Sequence, residues 1–112
     1  MASSTLFKLV PKTVWYSQLV RYGRFVGMDE DVNFIHLCTE KQLSWVYENT
    51  FKKYPVCEQR ELLKIDIDPT GLDIRWEKSL RTGIAYPHLY GSIPIDNIIS
   101  TSYYKFDKLC TW

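Results

Sequence analysis

Three short apolar segments carry side chains capable of acid–base chemistry at alternate positions. Alternate side chains of a β-strand point to opposite faces of the sheet. His36 therefore lies opposite Ile35 and Leu37, which have the apolar character of a core face. The same alternation places four more polar side chains opposite apolar neighbours: Arg75, Glu77, His88 and Tyr90. We predict that all five line one groove, in which His36, Glu77 and His88 are the candidate catalytic residues.

Arg75 and Tyr90 are candidate ligand-binding residues in the same groove. Each residue also has a structural interpretation. Arg75 and Glu77 are two positions apart and could form a surface ion pair worth less than about 1 kcal/mol. Tyr90 could belong to the core or form a wall of the groove, and a single histidine in a strand is more often structural than catalytic.

The groove is expected to end at the start of a helix. Thr39 and Gln42 have the spacing of a capping box, in which each side chain bonds a backbone N–H at the first turn. A helix N-terminus attracts anions, so a phosphate would bind best near the backbone N–H groups of Glu40 and Lys41. Thr39 and Gln42 are therefore further candidate ligand-binding residues.

These side chains must be positioned by a succession of short elements. Period-2 alternation and apolar runs predict strands over 5–10, 34–38, 61–67, 73–77 and 98–106. Period-3.6 patterns predict helices over 12–22, ended by Gly23, and from Glu40 to about Lys53, stopped by Pro55. The Asp-Pro-Thr-Gly turn at 68–71 predicts a hairpin between its flanking strands. The fold class is α+β, with a mostly antiparallel, split sheet and two main helices.

The predicted core contains Ile35, Leu37, Leu63, Ile65 and Trp76, all of which should be buried. The second helix should pack over them through its apolar stripe, which consists of Leu43, Val46, Tyr47 and Phe51.

Composition indicates one small domain spanning 1–112. Net charge is +1, from 14 basic and 13 acidic residues, so charge does not favour nucleic acid or a membrane surface as partner. No apolar run reaches the ~18 residues of a membrane span, and the first residues do not read as a secretory signal. Cys38, Cys57 and Cys110 lack metal-site spacing, so no metal is expected. They predict reduced thiols in a cytoplasmic protein, with a nuclear location as the alternative.

Several motifs resemble the uncharacterised family called domain of unknown function 952. They include Phe-Ile-His-Leu-Cys-Thr at 34–39, Arg-Trp-Glu-Lys-Ser at 75–79 and Tyr-Pro-His-Leu-Tyr-Gly at 86–91. The likeness runs from about Leu6 to Ile98. The chain departs from the family at Asn33, where glycine is favoured, and at Cys38, where serine is favoured.

That family is similar to a minimal ADP-ribosyltransferase-like fold, namely the C-terminal lobe of RNA 2′-phosphotransferases. The resemblance implies NAD as a cofactor or substrate, with His36 facing its nicotinamide-ribose side. It also implies ADP-ribosyl or N-glycosidic-bond chemistry, in which Glu77 would stabilise an oxocarbenium ion. His88 would then orient ribose or phosphate, and Tyr90 would stack on a ring. The chain lacks the N-terminal lobe and the arginine motifs of the phosphotransferases.

Two other functions fit the same sequence. The groove could belong to a binding module for a nucleotide or another small molecule, without catalysis. Alternatively the chain could be an interaction protein, whose aromatic content of 15% marks a partner surface.

Overall fold

The computed structural model describes residues 4–52, 54–55 and 61–104. Eight strands are present in this part of the chain: β1 (Leu6–Pro11), β2 (Arg24–Phe25), β3 (Ile35–His36), β4 (Leu62–Ile67), β5 (Ile74–Lys78), β6 (Ala85–Leu89), β7 (Ile93–Pro94) and β8 (Ile98–Tyr103). Helix α1 is Lys12–Tyr22, and α2 (Leu43–Val46) is the middle of a longer helical segment. That segment begins with a 3₁₀ turn, Glu40–Gln42, and ends in a π-helical turn, Tyr47–Phe51. A short 3₁₀ turn, Ile95–Asn97, precedes β8.

The strands form three antiparallel sheets, ordered β1-β4-β8, β3-β6-β5 and β2-β7. The split arises in the segment that follows Phe34. Ile35 and His36 pair with β6, whereas Cys38 forms an isolated bridge with Phe7 of β1. One extended segment thus joins two sheets. The prediction of an α+β fold with antiparallel sheets and two helical segments is confirmed.

Helix α1 ends at Gly23, as its sequence predicts. Gly23 has a φ of 71°, a left-handed conformation that glycine adopts without steric cost. Its backbone N–H donates to the carbonyl of Leu19 at 2.9 Å, which closes the helix. No helix in the described residues is long and apolar enough to cross a membrane.

Two hydrophobic cores lie on opposite sides of β1 and β4. Successive residues of β4, Leu62 and Leu63, are both buried, but they belong to different clusters. The first cluster contains Trp15 of α1 together with Ile35, Leu37, Leu63 and Ile65. The second contains Phe7, Leu9, Cys38, Leu43, Phe51 and Leu62. The 40–51 helical segment therefore packs against the second core, and the prediction that it covers Ile35, Leu37, Leu63 and Ile65 is wrong.

The predicted hairpin between β4 and β5 is also wrong. The turn at 68–71 is present, but β4 lies between β1 and β8, and β5 pairs with β6. Asn97 ties the turn to the segment before β8, because its side chain donates to the carbonyls of Asp68 and Thr70. The Asp68 N–H in turn donates to the Asn97 carbonyl at 2.8 Å. These bonds hold the turn against the segment before β8. After the turn, β5 enters the β3-β6-β5 sheet and does not pair with β4.

Trp76 was expected in the core but is 55% exposed. It lies in the middle of β5, the edge strand of its sheet, so no strand of the described residues covers it on the outer side. Cys38 is a buried free thiol, whereas Cys57, Cys110 and the predicted helix end at Lys53 lie outside the described residues.

Candidate functional site

A row of polar side chains crosses the β3-β6-β5 sheet. His36 pairs directly with His88 on β6, and His88 pairs with Arg75 on β5. Residues opposite each other in a sheet have side chains on the same face. The two imidazole rings are 5.3 Å apart between centroids and meet edge to face at 67°. The sheet thus brings together two histidines that are 52 positions apart in the sequence.

His36 is held by a buried carboxylate. The Nδ1 atom of His36 lies 2.8 Å from Oδ1 of Asp31, and its backbone N–H donates to the same oxygen at 3.0 Å. The other oxygen, Oδ2, accepts from the backbone N–H of Met28 at 2.8 Å. The His36 side chain is 52% exposed, whereas that of Asp31 is 1% exposed. A rigid acceptor therefore fixes the orientation of a solvent-accessible ring.

Lys8 is the buried counter-ion of Asp31. Its Nζ lies 3.2 Å from Oδ2 of Asp31 and donates to the His36 carbonyl at 2.8 Å. Burial lowers the pKa of Lys8, against the opposing influence of Asp31. Burial would raise the pKa of Asp31, but the His36 hydrogen bond, the Lys8 charge and the backbone N–H groups of His36 and Met28 together lower it to about 2. Asp31 is therefore ionised at neutral pH.

The turn that carries Asp31 depends on Gly27. Gly27 has a φ of 121°, and a Cβ built there would lie 3.1 Å from the Cβ of Asp31. A larger residue would meet both the strain of positive φ and this close contact. Gln18 of α1 fixes the same turn, since its side-chain oxygen accepts from the backbone N–H of Val26 at 2.7 Å.

His88 has its own carboxylate partner, Glu77 of β5. The Nδ1 atom of His88 lies 2.6 Å from Oε1 of Glu77, and the Tyr90 hydroxyl donates to Oε1 and Oε2 at 2.8 and 3.1 Å. These hydrogen bonds lower the pKa of Glu77, and the bond to Glu77 raises the pKa of Tyr90. Each histidine is therefore oriented through Nδ1 by a carboxylate from a neighbouring segment.

Phe34 packs among the site's rings and limits their movement. It stacks on His88 with centroids 3.9 Å apart and lies 4.8 Å from His36 and 5.3 Å from Tyr90. Arg75 covers the Tyr90 ring at 4.1 Å and pairs with Asp73 at 3.0 Å. The Arg75 guanidinium is thus engaged by protein groups.

A cavity of about 390 Å³ opens beside the two histidines. Its polar lining includes His36, His88, Lys8, Asp31 and Arg81. Its aromatic lining includes Trp45, Tyr86 and Phe51. Arg81 lies over the Trp45 ring at 5.7 Å, and Trp45 and Tyr86 have centroids 5.7 Å apart. Cationic, aromatic and acid–base groups therefore meet in one concavity.

The predicted site residues divide into three groups in the structure. His36 and His88 line the cavity. Glu77, Tyr90 and Arg75 adjoin His88 but are not among the lining residues. The remaining two, Thr39 and Gln42, lie at the start of the helical segment.

Thr39 and Gln42 make the contacts of a helix start. The side-chain oxygen of Gln42 accepts from the backbone N–H of Thr39 at 3.0 Å, and its Nε2 donates to the Ala85 carbonyl at 2.9 Å. Neither residue is among those lining the cavity. The Thr39 N–H is therefore occupied by the protein's own capping group.

Sequence reasoning missed Lys8, Asp31 and Arg81. Lys8 carries a signal, since a lone charge inside the run Leu-Phe-Lys-Leu-Val must be paired or exposed. Asp31 has no such signal, because Asp29 and Glu30 beside it look the same in sequence. Only the folded turn selects the carboxylate that faces Lys8.

Comparison with known proteins identifies relatives of the whole described fold. The family model described as "Protein of unknown function (DUF952)" matches residues 10–101. The X-ray structure of protein CC0527 from Caulobacter crescentus is similar with a TM-score of 0.78 at 25% identity, covering 94% of this chain and 90% of that one. Its solution NMR structure gives a TM-score of 0.71 at 25% identity, covering 95% and 89%. No curated protein matches the chain.

Proposed function

The chain belongs to the DUF952 family of proteins of unknown function, and we propose that it binds a nucleotide or an NAD-like molecule in the cavity beside His36 and His88. The observation that carries the proposal is the combination of groups lining this one cavity. Its volume of about 390 Å³ lies within the range of small-molecule sites, roughly 300–1,000 Å³.

The cavity's charges suit a phosphate. Lys8 and Arg81 are both basic side chains of the lining. The Arg81 guanidinium is always charged, and each histidine offers a phosphate an N–H at Nε2 when its ring is protonated. Asp31 is already paired with Lys8 and His36, so its charge is partly neutralised inside the protein. Glu30 is a further carboxylate of the lining, so the proposal places the phosphate beside Arg81 and the two histidines.

The aromatic lining suits a base. Trp45 and Tyr86 lie side by side, and a base can stack on the half-buried ring of Trp45. Arg81 lies over Trp45, which brings a hydrogen-bond donor for a phosphate group next to a stacking surface. A nucleotide has both a phosphate and a base, whereas inorganic phosphate has only the first and a free nucleobase only the second.

Calorimetric titration with AMP, ADP, ADP-ribose and NAD tests the proposal. We expect at least one of them to bind, and Arg81→Gln to weaken its binding by about 10-fold or more, equivalent to about 1.4 kcal/mol. Arg21→Gln is the matched control, since Arg21 is an exposed arginine of α1 that does not line the cavity. Absence of binding at about 1 mM of every nucleotide, or equal effects of the two substitutions, would overturn the proposal.

We also propose the finer relationship, to an ADP-ribosyltransferase-like fold with NAD chemistry. It is supported by the order of elements, in which β1, α1 and Gly23 precede the histidine-bearing strand β3 and the 40–51 helical segment. In this proposal His36 meets the nicotinamide-ribose side of NAD, and Glu77, which adjoins the cavity through its bond to His88, supplies negative charge. Incubation with NAD should then release nicotinamide, and both His36→Ala and Glu77→Gln should abolish release. NAD binding without nicotinamide release would reject this activity and retain the binding function.

A further inference from the structure

The two histidines share the same hydrogen-bonding arrangement. Each is bonded through Nδ1 to a carboxylate, His36 to Asp31 and His88 to Glu77. Within the part of the chain that the structure describes, no protein group hydrogen-bonds either Nε2 atom. A carboxylate on Nδ1 favours the neutral tautomer that carries its lone pair on Nε2, so each ring can accept or donate a proton there.

The closeness of the two rings would let a single tetrahedral group in the cavity contact both of them. Their centroids are 5.3 Å apart, and both rings line the same cavity. A phosphate touching both rings through hydrogen bonds of about 2.8 Å would present two different oxygens to two different imidazoles. This is the arrangement that general acid–base catalysis at phosphorus requires.

We propose, resting on the nucleotide-binding function above, that His88 and His36 act as general base and general acid in cleaving a phosphodiester beside a ribose 2′-hydroxyl. His88 Nε2 takes the proton of the 2′-hydroxyl, and O2′ attacks phosphorus. The P–O2′ bond forms as the P–O5′ bond breaks. His36, protonated at the outset, donates its Nε2 proton to the departing O5′. The products are a 2′,3′-cyclic phosphate and a 5′-hydroxyl, and no other reactant is needed.

The assignment of roles follows from exposure. The His36 side chain is 52% exposed, so its imidazolium form is solvated before the reaction, and its proton can be replaced from water afterwards. The His88 side chain is 12% exposed and is covered by Phe34, which suits the ring that begins neutral. The leaving nucleoside then departs on the more open side.

Cations of the cavity can stabilise the charge that develops on the phosphoryl oxygens. Arg81 is the exposed cation of the lining, and Lys8 is the buried one. Asp31 and Glu77 are positioning residues, because each touches a histidine and neither needs to touch the substrate. Phe34 holds the ring of His88 in place from its stacked face.

Several charged and titratable groups face the two histidines and will influence the pH profile. On the His36 side they are Lys8 of β1 and Asp31 of the preceding turn; Glu30 of that turn also lines the cavity. On the His88 side they are Glu77 and Arg75 of β5 and Tyr90, and Arg81 is the further cation of the cavity lining. The two imidazoles also face each other, so the pH profile is read as a property of the pair and not of either residue alone.

The test uses the ribodinucleotide uridylyl-adenosine and its 2′-deoxy analogue as probes. We expect the ribodinucleotide to give uridine 2′,3′-cyclic phosphate, resolved by chromatography, and the deoxy analogue to bind without cleavage. The rate should have a bell-shaped dependence on pH. His88→Asn and His36→Asn should each lower the rate by about 100-fold or more. His88→Asn should also remove the acidic limb of the bell-shaped profile, and His36→Asn should remove its alkaline limb.

Rescue by free imidazole separates a proton-transfer role from a structural one. The half-exposed position of His36 leaves room for a small molecule in its place. Added imidazole, whose protonated form is an acid, should therefore restore part of the activity of His36→Ala. Arg21→Gln, purified identically, should retain the full rate and controls for contaminating nuclease. Cleavage that is unchanged in His36→Asn and His88→Asn would overturn the proposal.

The two proposals fail in distinguishable ways. If the deoxy analogue binds and Arg81→Gln weakens it, but the ribodinucleotide stays intact, the nucleotide-binding function stands and the cleavage reaction is rejected. If no nucleotide binds, the binding function is rejected and the reaction that rests on it falls as well.

Discussion

Replacing Asp31 by asparagine tests the buried charge network on which the His36 geometry depends. The side chains of Lys8 and Asp31 are only 5% and 1% exposed. Removing one partner of a buried ion pair typically costs 3–5 kcal/mol, because the other charge stays buried without compensation. Independently, the fall in the pKa of Asp31 from 3.8 to about 2 corresponds to roughly 2 kcal/mol. We therefore expect Asp31→Asn to lower the free energy of unfolding by about 2–5 kcal/mol.

The sign of the pH dependence follows from the same carboxyl. Its pKa is lower in the folded protein than in the unfolded chain, so its stabilisation is fully present above about pH 4 and is lost as pH falls towards 2. Across that pH range, the contribution of the Asp31 carboxyl to the free energy of unfolding of the unmodified protein should fall by roughly 2 kcal/mol. Asp31→Asn should lack this component, so the difference in stability between the two proteins should narrow in acid.

Urea unfolding at about pH 7 and about pH 3 measures both effects. Asp73→Asn is the matched control, since the Asp73–Arg75 pair is exposed and should be worth less than about 1 kcal/mol. Lys8→Met combined with Asp31→Asn should cost less than the sum of the two single changes, because the double variant leaves no buried charge unpaired. An Asp31→Asn cost equal to that of Asp73→Asn, or strict additivity, would refute the reasoning.

Two further predictions concern buried side chains. Burial raises the pKa of the Cys38 thiol to about 12. In a chain with Cys57 and Cys110 replaced by alanine, iodoacetamide should therefore label the folded protein at least about 100-fold more slowly than the urea-unfolded one. Rapid labelling of the folded protein would contradict this burial. Leu37 is 3% exposed in the first core, so Leu37→Ala should lower the free energy of unfolding by about 2–5 kcal/mol in a urea titration. Leu80→Ala, at a fully exposed leucine, should change it by less than about 0.5 kcal/mol, and equal costs would show that Leu37 does not support the core.

The histidine pair was predictable in outline because strand alternation is a local rule. His36 and His88 each occupy an alternate position beside buried residues, Leu37 and Leu89, and the structure places both histidines on one face of one sheet. The local rule does not say which strands are neighbours. That His36 pairs with His88, and not with Arg75 or Glu77, is a result of sheet order.

The partners of the histidines required the tertiary structure. Lys8 and Asp31 are 23 positions apart, and Asp31 is one of three acidic residues in a single turn. The Glu77–His88 contact likewise depends on the β5–β6 register. Such contacts carry no periodicity, so no pattern in the sequence separates them from ordinary surface charges.

The sequence by itself determined the local elements: β1 and β4 as strands, α1 between Pro11 and Gly23, and a helix beginning after Thr39. These follow from backbone propensity, capping and side-chain alternation, which act over a few residues. The tertiary structure decided that β4 pairs with β1 and β8, that the 40–51 helical segment covers the second core, and that Trp76 is exposed. Those outcomes depend on which apolar faces meet across the whole chain. Several arrangements bury similar faces, and long-range contacts such as those between Asn97 and the 68–71 turn select among them.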